Sequence, residues 1–171
     1  MRVRERPAMA APCRVRMAAA AAAGLLLGAT ALPAAAESPF AALSGAWSGA
    51  GQVRFTSGGT EALKCNAYYT PKDTGQSLGL AIRCASASSR IELRANLVYQ
   101  GGKVTGSWEE RTYNAAGDVT GEASSNKISV AIKGGGFTGS MSVGVSGGRQ
   151  SVTIMTQGIG MTSVDISLSR G

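Results

Sequence analysis

The sequence predicts an all-β fold, an antiparallel up-and-down β-barrel of eight or nine strands held by one cross-strand disulfide. Three observations carry this expectation. From Trp47 to Leu168, apolar and polar residues alternate with a period of two, the pattern of strands that bury one face. Glycine-rich punctuation such as SGGT, Gly101-Gly102 and GGG separates the runs. Glycines also recur at inward positions, namely Gly49, Gly51, Gly106, Gly121 and Gly139, where they permit the bends and close approaches that closure needs. A closed barrel leaves no unpaired edge; a β-sandwich of the same strands is the alternative.

The runs follow in order. Trp47, Gly49, Gly51, Val53 and Phe55 share one face of a first strand. Leu63, Cys65, Ala67 and Tyr69 face inward on the second, and Leu78, Leu80, Ile82 and Cys84 on the third. Ile91, Leu93, Ala95, Leu97 and Tyr99 mark the fourth. The two-residue turn Gly101-Gly102 then pairs Tyr99 with Val104, Leu97 with Gly106 and Ala95 with Trp108. After NAAGD come Val119 and Gly121, then Ile128, Val130 and Ile132, and beyond GGG the run from Phe137 to Val145. Val152 and Ile154 mark the next strand; Val164, Ile166 and Leu168 mark the last. No stretch of this region makes a convincing helix.

The first 36 residues read as an export signal. Arg2, Arg4, Arg6, Arg14 and Arg16 precede the uncharged run MAAAAAAGLLLGATALPAAA, which ends in an Ala-x-Ala site, so cleavage is expected after Ala36. An uncleaved membrane anchor is the alternative, since Met17 to Ala36 is 20 uncharged residues. Cys13 precedes the apolar run, which argues against a lipid-modified cysteine; Met9 and Met17 are alternative starts. Residues 37–171 then form a single domain, in the periplasm or outside the cell, with no stable membrane span after cleavage. The net charge of +7 belongs largely to the leader: five arginines and Glu5 lie there, leaving 12 basic and 9 acidic residues. Those basic residues are scattered from Arg54 to Arg170, which excludes the clustered basic face of a nucleic-acid binder.

The opening LSGAWSGAGQVRF, with Gly45-x-Trp47 at the start of the first strand, resembles the calycin architecture of lipocalins and avidins. Avidin's other ligand residues have no counterpart that carries over. The chain is also similar to bacterial periplasmic inhibitors of metalloproteases, which are small eight-stranded barrels with an early Gly-x-Trp, one disulfide and a chain end like ISLSR. The segment ESPFAAL does not match their inhibitory arm and inherits no such role. The resemblance implies either a small ligand held in the barrel interior or a protein partner met by loops or the N-terminal arm.

Several chemistries are excluded by composition. There is no histidine, which removes Ser-His and Cys-His nucleophile systems and imidazole metal sites. Two cysteines outside the leader cannot make a four-cysteine zinc site, so neither metal nor cofactor is expected. Glu109 and Glu110 point to opposite faces of a strand and cannot act as a dyad. Glu110 shares the parity of Trp108. It is read either as a rim carboxylate in water or as a group that orients a ligand, with Arg83 or Arg111 as partners only if a bulge shifts the register. KGGGF lacks the helix of a phosphate-binding loop and reads as a turn. Trp47, Tyr69, Tyr99, Trp108 and Phe137 have inward parity among the small residues Ala67, Ala95, Gly106 and Gly121. That mixture fills a tapering core or leaves a cavity, so Trp47, Tyr69, Tyr99, Trp108 and Glu110 are the candidate ligand-lining residues.

Cys65 and Cys84 fall opposite one another when the second and third strands pair, which sets Ala67 against Ile82 and Tyr69 against Leu80 with the turn in PKDTGQ. Bond and pattern agree, and export to an oxidising compartment favours the disulfide. A redox-active pair would need Cys-x-x-Cys, which is absent. The expected function is therefore a non-enzymatic exported barrel that binds a small apolar or amphipathic molecule. A periplasmic interaction protein or protease inhibitor is the alternative.

Overall fold

The computed structural model describes residues 38–171; the leader and its expected cleavage after Ala36 lie outside them. A short 3-10 turn, Ala41–Leu43, leads into ten strands. These are β1 (Gly45–Phe55), β2 (Thr60–Lys72), β3 (Ser77–Ala85), β4 (Arg90–Gln100) and β5 (Lys103–Glu110). They continue as β6 (Ala115–Ser124), β7 (Lys127–Gly134), β8 (Phe137–Ser146), β9 (Arg149–Gln157) and β10 (Met161–Arg170). Each strand pairs antiparallel with its neighbours in sequence, and β1 pairs with β10, so the sheet closes and the sandwich alternative falls.

The strand number corrects the expectation of eight or nine. The sixth and ninth runs show few large apolar residues in sequence, Val119 in one and Val152 and Ile154 in the other, yet both are full strands. β6 carries Gly117 and Gly121 on its inward face, and β9 carries Gln150 and Thr156, so the alternation that marks a strand is diluted there.

The expected registers hold. Tyr99 meets Val104, Leu97 meets Gly106 and Ala95 meets Trp108. Cys65 meets Cys84 and is bonded to it, with Ala67 against Ile82 and Tyr69 against Leu80. The turn after β2 runs through Asp73, Thr74 and Gly75, all at positive φ. At the β1–β10 seam, a Cβ on Gly49 would lie 2.0 Å from the Ser167 carbonyl oxygen, and one on Gly51 2.1 Å from that of Asp165. Only glycine allows the two backbones to come so close.

Inside and outside differ in polarity. Outward positions carry Ser48, Gln52 and Arg54 on β1 and Lys127, Ser129 and Lys133 on β7, and every lysine and arginine of the described residues is exposed. Inward positions are almost wholly apolar. A transmembrane barrel has the reverse polarity, apolar outside and polar within. Among the described residues, no helix is long and apolar enough to cross a membrane.

The two ends of the barrel are closed differently. At the end where β1 begins, Phe40, Leu43 and Trp47 are buried and plug the interior. The Trp47 indole donates to the Leu43 carbonyl at 2.7 Å. The Arg170 guanidinium lies 4.6 Å from the centre of the Trp47 ring and donates to the carbonyls of Ala42, at 2.6 Å, and Ser44. The last strand thereby fastens the segment that precedes the first, and Gly45, Trp47 and Arg170 form one latch. At the opposite end, where β1 finishes, the closing element is the β7–β8 turn, whose Gly135 lies close to Ala115, Trp108 and Phe137.

Candidate functional site

The interior is the apolar core of the described residues, and the burial of its side chains varies along the barrel axis. Towards the plugged end, Leu78, Leu97, Val104, Ile128, Val143 and Leu168 are buried. Towards the other end, Phe55, Ile82, Leu93, Ile132, Phe137 and Met161 are half-buried although their positions face inward, among the buried Val53, Leu63, Trp108 and Val164. Side chains on a closed inner wall keep that exposure only where the protein has not filled the space beside them. The mouth at that end is thus a shallow cup rimmed by half-buried apolar side chains, and the more closely packed interior beneath it is its floor.

The candidate residues from the sequence divide between these halves. Trp47 and Tyr69 meet edge to face with ring centres 6.5 Å apart, and Tyr99 meets Phe40 the same way at 6.1 Å. All three belong to the floor. The Tyr69 hydroxyl and the Gln150 amide are hydrogen-bonded to each other at 3.0–3.1 Å. Burial pushes the Tyr69 phenol up to about 12, with a smaller opposing effect from the Gln150 hydrogen bond. Gln150 was not singled out from the sequence; its parity with Val152 and Ile154 was the available signal.

Trp108 sits near the end of β5, two residues before Glu110 on the same face, with the small residues Ala95 and Gly117 as its cross-strand neighbours. Its ring lies 5.3 Å from that of Phe137, and the β7–β8 turn at Gly135 approaches it. Its indole nitrogen is buried and has no hydrogen-bond partner. Trp47, by contrast, has its indole satisfied within the floor.

Glu110 is 8 % exposed, and its carboxylate is engaged by backbone. One oxygen accepts from the amides of Glu92 at 2.9 Å and Thr112 at 3.0 Å; the other accepts from Tyr113 at 2.6 Å. Burial alone would raise its pKa. The amide hydrogen bonds from Tyr113, Glu92 and Thr112 outweigh that and hold it below the ordinary carboxylate value. Arg83 and Arg111 do not reach it. Both lie against Glu92 on the outer wall, at 3.4 and 3.8 Å, beside Arg94 at 3.2 Å. Glu110 therefore ties the β5–β6 turn to β4 and keeps its charge within that turn.

The cysteines are a structural bond between β2 and β3, of the kind that persists in oxidising compartments. Among the described residues, no group of three or more metal-ligating side chains converges.

No family model matches the chain, and no curated protein matches it. Solved structures do. Rv2717c from M. tuberculosis superposes with a TM-score of 0.61 at 12% identity, over 76% of this chain and 93% of that one. The S-type phycobiliprotein lyase CPES from Guillardia theta superposes with a TM-score of 0.54 at 14% identity, over 77% and 90%. The fold shared with both is a closed antiparallel β-barrel. At such identities the likeness extends to the closed barrel and not to its chemistry. With ten strands, the chain differs in strand number from the eight-stranded inhibitors that its sequence resembles.

Proposed function

We propose that this is an exported, non-enzymatic barrel, periplasmic or secreted, that holds a small apolar or amphipathic molecule at the open end of its interior. The observation that carries the reading is the unequal packing of the inner wall. The floor is closed by Phe40, Leu43 and Trp47, while Phe55, Leu93, Phe137 and Met161 keep exposed apolar surface around the other end. Exposed apolar surface that converges in a cup marks a binding site more often than surface scattered singly. Trp108 is buried beneath the cup against Phe137, Glu110 braces its rim, and Trp47, Tyr69 and Tyr99 support its floor. The likeness to a phycobiliprotein lyase, another barrel of this fold, is compatible with a ligand inside the barrel. The disulfide fits export, and the absence of histidine and of paired carboxylates fits a role without catalysis. The partner is accordingly a small molecule, with neither nucleic acid nor metal required.

Native mass spectrometry of the protein purified from its own cell envelope tests this. A co-purifying mass released by organic solvent, with the polypeptide mass unchanged, is expected. Purification free of small molecules but bound to another protein would instead support action through loops or the N-terminal arm. Recovery of residues 17–36 on the exported protein would sink the cleaved-leader reading.

A further inference from the structure

We infer that the outer wall carries a separate site, a clamp of Arg83, Arg94 and Arg111 that binds a phosphate-type oxyanion, either free in solution or on a lipid headgroup. It lies outside the cup and does not depend on a ligand there. The register of three strands builds it. Arg83 on β3 is the cross-strand partner of Glu92 on β4, and the backbone N–H of Arg111, just after β5, donates to the Glu92 carbonyl at 3.0 Å. Arg94 lies two residues along the same face of β4. All three guanidinium groups therefore meet one carboxylate oxygen, Glu92 Oε1, at 3.4 Å for Arg83, 3.2 Å for Arg94 and 3.8 Å for Arg111.

The charges there do not balance. Three cations converge on one anion, whereas the other ion pair among the described residues, Lys103 with Glu122, is one to one. Glu109 stands opposite Arg94 on β5 but makes no ion pair with it, and Arg90 adds a fourth guanidinium to the same face of β4, nearer the mouth. Like charges held this close repel one another, and a further anion relieves the repulsion. The donors are free to receive one. Each guanidinium presents five N–H groups, yet among the described residues only one from Arg83 and one from Arg94 are used, both on Glu92, and none from the Arg111 side chain. The Glu92 side chain is 30% exposed, against 61%, 46% and 55% for Arg83, Arg94 and Arg111, so the unused donors face solvent above the carboxylate. A tetrahedral oxyanion has enough acceptor oxygens to meet three guanidinium forks, whereas a carboxylate has only two.

Inorganic phosphate, titrated into the ¹⁵N-labelled exported protein with ionic strength held constant by sodium chloride, tests the clamp. The signals of Arg83, Glu92, Arg94 and Arg111 are expected to move and to saturate, and sulfate to compete. Arg83→Gln combined with Arg111→Gln should weaken binding about tenfold. Lys127→Gln combined with Arg149→Gln removes the same charge from the plugged end and should leave binding within about twofold. Circular dichroism checks that both variants fold. Co-sedimentation with phosphatidylglycerol vesicles, against phosphatidylcholine as the blank, separates the two sources. Pelleting that the Arg83/Arg111 variant loses assigns the oxyanion to a lipid headgroup; saturable phosphate binding without pelleting assigns it to a soluble anion. Shifts that never saturate, together with no arginine-dependent pelleting, would overturn the clamp, as would equal weakening by the two double variants. The cup is tested by its co-purifying small molecule, so the two readings fail independently.

Discussion

The two ends of this barrel are made of similar residues put to different uses. At the plugged end, aromatic rings meet one another, the Trp47 indole and the Tyr69 hydroxyl are hydrogen-bonded, and Arg170 fastens the entering chain to the last strand. At the open end, Phe55, Phe137 and Met161 face inward but are only partly buried, and the Trp108 N–H has no partner. On the proposed reading, the difference separates stability from binding along the barrel axis. The first end satisfies every group it buries; the second leaves apolar surface and a donor unmatched.

Truncating one aromatic residue in each half is the most direct way to break this comparison. Trp47→Ala removes a fully packed ring, its hydrogen bond and the seat of Arg170, and should cost roughly 3–5 kcal/mol of unfolding free energy. Phe137→Ala removes a ring that is only partly buried and should cost less, about 1–2 kcal/mol, because less apolar area returns to water. Urea denaturation of both variants measures the contrast. Equal losses would mean that the open half is packed as tightly as the floor.

The disulfide is expected to matter nearly as much as Trp47. It closes a separation of 19 residues between β2 and β3, worth roughly 3 kcal/mol in the chain-entropy account. Replacing both cysteines by alanine should lower stability by about that amount, leave the strand register unchanged and leave binding of an apolar dye in the cup within about twofold. A loss of dye binding larger than the loss of folded protein would show that the bond shapes the cup as well as the scaffold.

How much of this was legible in the sequence follows from what sets each feature. Strand parity and hairpin register were readable because period-two alternation and tight glycine turns act locally. The Cys65–Cys84 pair and the Tyr99–Val104 ladder follow from them. Strand number was not, since glycines and polar residues on the inner faces of β6 and β9 mute the alternation. The division of the aromatics was also hidden. Parity places Trp47, Tyr69 and Trp108 on the same wall, but which end each one serves depends on how the sheet staggers as it closes, and that is a property of all ten strands together. The environment of Glu110 was hidden too, because its partners are backbone amides, one of them on a neighbouring strand, and no side-chain pattern announces them.

Alkaline titration sharpens the comparison at the plugged end. The unfolded chain releases the Tyr69 proton near 10.0, whereas burial holds it to about 12 in the folded state. The native state therefore binds the extra proton between these values. The stability it contributes is complete below the lower value and falls as pH rises through the higher one, by roughly 2–3 kcal/mol in all. In Tyr69→Phe that portion of the alkaline loss should vanish. An unchanged alkaline slope would place the phenol in water and contradict a closed floor.

Acid titration makes the matching test at the rim, and the expected effect is smaller. Glu110 accepts three backbone amides, which lower its pKa below 4.5 despite its burial. The folded state prefers the ionised form, so the stabilisation is present above the ordinary value and is lost as pH falls through the lower folded value. Glu110→Gln places a donor where the amides already donate, and should cost about 1–2 kcal/mol near neutral pH. The variant should also lose less stability than the parent on acidification. The carboxylates of Glu61, Glu92 and Glu122, also lowered in pKa, remain in both proteins and cancel in the difference. Because the Glu110 charge is spent within the β5–β6 turn, the variant should still bind an uncharged probe. A variant that folds like the parent yet no longer binds such a probe would move Glu110 from bracing the rim to touching the ligand.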